Sequence, residues 1–331
     1  MLRPRLVNGR SGDPLLYVEL AHEREAVLFD LGDCSALSAR DLLRVDHVFV
    51  SHMHMDHFIG FDALLRVNVG REKRIVLVGP EGIIDAVGHK LAGYSWDIAS
   101  RYTTDLIFDV REVHPSGRLR RCSFSFRSRF AREDLGDTVA ADGLVVETPV
   151  FRVSAQILEH HGPCLAFAIV EPVRINVWRN RVAERGLAVG PWLKALKAAV
   201  RDGLPDDSRV MLPDGEQAPL GALRELVSVQ AGQKLGYATD IRDTPANRAA
   251  VTTLCAEADM MFIEASFAAS DLERAFDRAH LTTTAAGEIA RAARARRVEP
   301  FHFSPRNTAG EDELIAEVEA AFAAAPSPSS V

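Results

Sequence analysis

Ser51-His52-Met53-His54-Met55-Asp56-His57 is the stretch that decides how this chain is read. It follows an apolar run, His47-Val48-Phe49-Val50, which has the composition of a buried strand. Four side chains able to bind a metal fall within six residues. Imidazole nitrogen and carboxylate oxygen are donors that suit zinc, with manganese or iron(II) also accepted at carboxylate-containing sites. His52 and His54 alternate along an extended segment and point the same way. Asp56 and His57 follow where the chain turns towards a helix, so one loop offers ligands to two neighbouring ions. Catalytic zinc keeps a coordination position open to water, which makes a hydrolase the expected class.

The pattern H-x-H-x-D-H after an apolar strand resembles the metallo-β-lactamase superfamily. That resemblance implies an α/β fold, a four-layered αββα sandwich, with the other ligands on later strand ends. Three downstream strands end on suitable residues. Phe151 to Leu158 alternates and runs into Glu159-His160-His161-Gly162-Pro163. Lys234 to Thr239 leads to Asp240, and Val298 to Phe301 leads to His302. The carboxyl ends of strands are where α/β sheets place their sites.

Further segments resemble one branch, the ribonuclease Z family. Phe29-Asp30-Leu31-Gly32-Asp33 is similar to its early F-D-x-G, and Glu264-Ala265-Ser266-Phe267 to its E-A-T-F. His280-Leu281-Thr282-Thr283 is similar to its H-S-T helix start, His302-Phe303-Ser304-Pro305-Arg306 to its H-F-S-P-R, and Gly190-Pro191 through Leu193-Lys194 to its G-P-x-x-x-x-L-K region. The similarity spans most of residues 25 to 318. Two positions depart from the pattern. Met55 stands where the family has glycine, and Ala238-Thr239-Asp240-Ile241 replaces its G-D-T.

The resemblance implies two zinc ions. His52, His54 and His160 would hold one, Asp56, His57 and His302 the other, with Asp240 bridging them. The family spacing to Pro163 and Ala166-Phe167 favours His160 over His161. Metal-activated water would hydrolyse a phosphodiester, Asp56 would orient that water, and His280 would protonate the leaving 3′-oxygen. Asp30 and Glu264 are expected to orient ligand histidines. The implied substrate is RNA, on the 3′ side of tRNA precursors, and the implied assembly a homodimer. A hydrolase of the same fold acting on a small phosphodiester, lactone, thioester or sulfate ester is the alternative. A non-catalytic, metal-stabilised binding protein fits less well, since it has no use for a second metal and a spare His280.

Composition agrees with a globular enzyme. Of 331 residues, 47% are hydrophobic and 26% charged, enough for a large core. Met1-Leu2-Arg3-Pro4-Arg5 has no apolar signal core, and no apolar run reaches the ~18 residues of a membrane span. Cys34, Cys122, Cys164 and Cys255 show no C-x-x-C spacing, as expected of reduced thiols in the cytoplasm. Cys34 and Cys164 read as small buried residues. A net charge of −7 runs against an overall basic RNA footprint. Local arginines crowd Arg118, Arg120, Arg121, Arg127, Arg129 and Arg132, where an ordinary solvated hairpin is favoured over a phosphate rim.

Along the chain, residues 1–325 read as one metallo-β-lactamase-like domain, with an arm- or flap-like insertion at about 172–233 and a disordered tail at 326–331. Residues 105–155 are expected to be β-rich, with turns at Gly117, Gly136 and Gly143. A helix is expected over Thr282 to Arg297, where Arg291, Arg294, Arg296 and Arg297 would complement its carboxyl-terminal dipole.

Overall fold

Apolar runs and alternating strands assemble two sheets in the computed structural model, which describes residues 1–21 and 23–325. The expected tail at 326–331 lies outside the described residues. Among these residues the first sheet has eight strands in sequence order, from Leu2–Leu6 to Arg132–Val139. Its centre is parallel, pairing Ala26–Phe29, Val45–Phe49, Lys73–Pro80 and Leu106–Val113, and hairpins extend both edges. The second sheet has six strands. Val298–Phe301, Met260–Glu264 and Lys234–Ala238 run parallel, and antiparallel neighbours Pro163–Val170, Arg152–Glu159 and Leu144–Glu147 complete it.

The central strands carry apolar residues on both faces because each sheet is covered on both sides. Phe29, Phe49 and Val78 of the first sheet share one core with Phe167, Tyr237, Phe262 and Phe301 of the second. Aromatic rings knit that layer. Phe29 stacks on Phe49 at 5.2 Å and on Tyr237 at 5.4 Å between centroids. Burying each such side chain contributes roughly 1.5–3 kcal/mol. The outer face of the first sheet takes helices Phe61–Asn68 and Ile83–Ala92 through Leu64, Ile84 and Val87. The outer face of the second takes Pro245–Leu254, Thr283–Ala292 and Glu311–Ala323 through Val251, Ile289 and Val318. Helix, sheet, sheet, helix is the expected αββα order.

The chain divides into two compact units, Met1–Val170 with the chain from Lys234 onward, and Glu171–Gln233. The second has its own core, in which Ile175, Val182, Trp192, Leu196 and Leu223 are buried. Strands Arg174–Val177 and Val227–Gln230 pair within it, as do Arg209–Met211 and Gln217–Pro219. The Pro213-Asp214-Gly215 run is the tip of this second hairpin. Asp214 accepts a bond from the Glu216 amide, and Gly215 takes a φ of 88°.

Two local expectations are corrected. The helix from Thr283 stops at Ala292, and Arg294 adopts a φ of 52°. Arg294, Arg296 and Arg297 therefore lie beyond the helix dipole and pair with Glu257, Asp259 and Glu299. Gly136 is no turn. It sits inside the strand Arg132–Val139 opposite Arg121, beside a register shift, where its φ of 80° forms a bulge. The arginine-rich segment is a hairpin whose charges are largely matched. Arg118 pairs with Asp137, Arg121 with Asp109, and Arg132 with Asp85 and Asp134.

Candidate metal centre and catalytic cleft

Strand ends from both sheets deliver the site, and sharp turns aim its side chains. Asp30, Asp240 and His302 follow strands Ala26–Phe29, Lys234–Ala238 and Val298–Phe301 with φ of 59°, 54° and 59°. A non-glycine residue there is strained, and such strain gathers at functional sites. The loop after Val45–Phe49 supplies His52 to His57, and its last two residues fall in the short helix Met55–Phe58. The Gly60 amide donates to the Leu31 carbonyl, and a Cβ on Gly60 would lie 2.3 Å from the Gly32 carbonyl oxygen. Only glycine lets the loop close against the Asp30 turn. Met55, at the family's glycine position, points into solvent and costs the loop nothing visible.

All seven expected ligands converge. Donor atoms of His52, His54, His160 and Asp240 lie within 4.8 Å of one another, and so do those of Asp56, His57 and His302. Asp240 joins the sets. One of its oxygens is 3.5 Å from His160 Nε2 and 3.9 Å from His52 Nε2, and the other is 3.1 Å from His57 Nε2 and 3.5 Å from His302 Nδ1. The Asp56 carboxylate is 3.5 Å from both His57 Nε2 and His302 Nε2. His161 takes another path. Its Nε2 donates to the Arg278 carbonyl, whereas His160 donates through Nδ1 to Ala279 and turns Nε2 inward.

The arrangement fits divalent metal. Nε2 of His52 is buried without a hydrogen bond, and His57 Nε2 makes none despite the nearby Asp240 oxygen. Buried unsatisfied nitrogens are costly and need a partner. Burial pushes the His52 imidazole down to about 4 and lowers His160 as well, leaving neutral rings with free lone pairs. Burial pushes the Asp240 carboxyl up, but the His302 and His57 imidazoles outweigh it and hold the group ionised.

Two buried carboxylates organise the surroundings. Asp30 accepts from the Ser51 amide at 2.6 Å, the Ser51 hydroxyl at 2.9 Å, His57 Nδ1 at 2.8 Å and the Tyr237 hydroxyl at 2.7 Å. This fixes the His57 tautomer with Nε2 facing the site. Glu264 accepts from His280 Nδ1 at 2.7 Å and from the Ser266 hydroxyl at 2.7 Å. Its grip is on His280, and the nearest expected ligand, His302, is 3.8 Å away. Burial pushes the Glu264 carboxyl up, yet the His280 imidazole brings it down to about 2. Burial likewise lowers His280, and Glu264 reverses this and raises it, favouring imidazolium. Thr239 donates to Asp240 at 2.7 Å, so the family's hydroxyl after the aspartate is here replaced by one before it.

Sequence reading gave no role to Ser51, Tyr237, Thr239 or Ser266. Ser51 directly precedes the H-x-H-x-D-H run and Ser266 lies within Glu264-Ala265-Ser266-Phe267, which is the signal the sequence carries for them. Cys34 and Cys164 are buried, and burial raises both thiols, Cys34 to about 12. The site opens into a cleft of about 480 Å³, whose wall includes Arg274, Arg278 and Arg306. These arginines were not anticipated, since they are scattered along the chain.

A layered αββα fold with two histidine–aspartate sets at the carboxyl ends of its strands defines a metallo-β-lactamase-fold hydrolase. The chain resembles solved structures of human short-form tRNase Z (TM-score 0.52, 18% identity, 92% of this chain and 91% of that one) and a metallo-β-lactamase fold protein of Bacillus subtilis (0.55, 15%, 96% and 92%). No family model matches. Ribonuclease Z of Deinococcus radiodurans is 33% identical over 305 residues, covering 90% of this chain and 88% of that protein. Ribonuclease Z of Synechocystis is 27% identical over 318 residues, covering 92% and 83%. The chain belongs to the ribonuclease Z family.

Proposed function

We propose that this chain is a binuclear zinc phosphodiesterase that cleaves tRNA precursors on the 3′ side. The observation that carries the reading is the joining of two histidine–aspartate sets at Asp240, beside a His280 held by Glu264. His52, His54 and His160 would hold one ion, Asp56, His57 and His302 the other, with Asp240 between them. Divalent ions there supply Lewis acidity, lowering the pKa of water to about 7 and neutralising phosphate charge. The chain's own groups do the rest. Asp56, half-exposed towards the cleft, orients the attacking water. Arg274, Arg278 and Arg306 draw phosphates into the cleft. As the bond from water oxygen to phosphorus forms, the water gives up a proton to solvent, the bond to the 3′-oxygen breaks, and His280 gives that oxygen its proton. Glu264 holds His280 in place and keeps it protonated until then.

Four cysteines, free and buried, support a reducing compartment, the cytoplasm. Among the described residues no helix is long and apolar enough to cross a membrane. A homodimer belongs to the same reading through the family resemblance. The test is a parallel assay of zinc-loaded protein on a 3′-extended pre-tRNA, an aryl phosphodiester, and small ester and lactone substrates. Endonucleolytic cleavage of the pre-tRNA leaving a 3′-hydroxyl is expected. Turnover of small esters alone would replace this reading.

A further inference from the structure

A second cavity adjoins the catalytic cleft, and His280 lines both. It holds about 450 Å³ and is walled by Asp243, Leu272, Phe276, Asp277 and Thr282 besides His280. Its lining differs from that of the cleft. The cleft wall carries three arginines among its histidines and aspartates, whereas this cavity has acidic residues and two large apolar side chains without an arginine of its own. Leu272 and Phe276 are 61% and 55% exposed and stand one turn apart on the helix Leu272–Asp277, so they share a face. Arg242 stacks on Phe276 with its guanidinium carbon 5.7 Å from the ring centroid. Asp243 is held by Arg248, while Glu273 and Asp277 have no ion-pair partner among the described residues.

We infer that this cavity seats the nucleoside whose 3′-oxygen departs, with its base against Phe276. The inference rests on the proposed function. In an in-line displacement, water enters from the side of the two ligand sets and the leaving oxygen lies opposite. His280 must touch that oxygen to protonate it, so the departing nucleoside lies against His280, which lines this cavity as well as the cleft. An uncharged base and ribose suit a cavity of phenylalanine, leucine and carboxylates, which would repel a phosphate. The carboxylates can accept a hydrogen bond from the ribose 2′-hydroxyl. The phosphate itself stays among Arg274, Arg278 and Arg306. The exposed Phe276 offers the sequence-tolerant stacking platform that single-stranded RNA uses.

The experiment is a double-mutant cycle on zinc-loaded, full-length protein. Phe276→Ala is paired with a 3′-extended RNA carrying an abasic residue just 5′ of the cleaved bond. Each change alone is expected to lower kcat/KM roughly tenfold, the effect of losing one stacked base. Together they should cost no more than either alone, because both remove the same contact. Phe276→Tyr should restore the rate, and an abasic residue just 3′ of the bond should show no coupling to Phe276→Ala. Additive losses, or a Phe276→Ala enzyme as fast as the parent, would overturn the inference and leave the proposed function standing. Failure of the unmodified protein to cleave RNA would overturn both.

Discussion

The two sides of the metal centre are built differently. The first sheet contributes one contiguous loop, where His52, His54, Asp56 and His57 fall within six residues and Asp30 pins His57 from a neighbouring strand. The second sheet contributes single residues, His160, Asp240 and His302, each on its own strand end, with Asp240 and His302 at positive φ. The loop side is cheap in chain length and is positioned by local hydrogen bonds. The strand-end side depends on the pairing of whole strands, and it holds the one residue both sets share. Damage to the loop side should therefore be partial, and damage at Asp240 total.

Asp240→Ala tests this first. It should abolish tight binding of both ions and reduce phosphodiester cleavage beyond the roughly 10²–10⁴-fold of a single acid–base group. Metal content and turnover measured on the same samples decide it. Retention of both ions would mean that the sets do not share Asp240. His280→Ala should keep both ions and lose roughly 10²–10⁴-fold in turnover on RNA. The loss should be smaller on an aryl phosphodiester, whose leaving group needs little protonation. Loss of zinc from this variant would make His280 a ligand instead, a role its place beside Asp240 and His302 makes worth excluding.

Asp30→Asn addresses the loop side alone. Removing the charge behind His57 should weaken binding at the Asp56–His57–His302 set by roughly 10–100-fold, while the other ion stays. Chelator competition on the variant and the parent should then show one affinity weakened and the other unchanged. Equal weakening at both positions would show that Asp30 supports the loop as a whole. His161→Ala should have the smallest effect. Its Nε2 is committed to the Arg278 carbonyl, so zinc content should not change and cleavage should stay within about threefold of the parent. A loss equal to that of His160→Ala would reverse the choice between the neighbours.

The same contrast explains what sequence could show. The loop was legible because its donors are adjacent, and His160, Asp240 and His302 because the resemblance points to the ends of later apolar strands. The layered fold followed from those motifs by resemblance. Of the hydrogen bonds that organise the donors, the one from a ligand histidine to Asp30 was legible through the resemblance, and the others were not. Tyr237 reaches Asp30 across 207 residues, and Glu264 holds His280 across 16 where the expectation is a ligand histidine. Only packing of the two sheets brings Tyr237 to Asp30. The Ala-rich periodicity after Thr283 ran past the true helix end, because a left-handed residue at Arg294 leaves no mark on hydrophobic spacing.

The most direct test of the joined centre is metal stoichiometry in the unmodified protein. Elemental analysis after mild purification, followed by titration of chelator-stripped protein with zinc, should give about two ions per chain, as expected for two ligand sets that meet at one carboxylate. A value near zero, with no uptake of added zinc, would contradict the account.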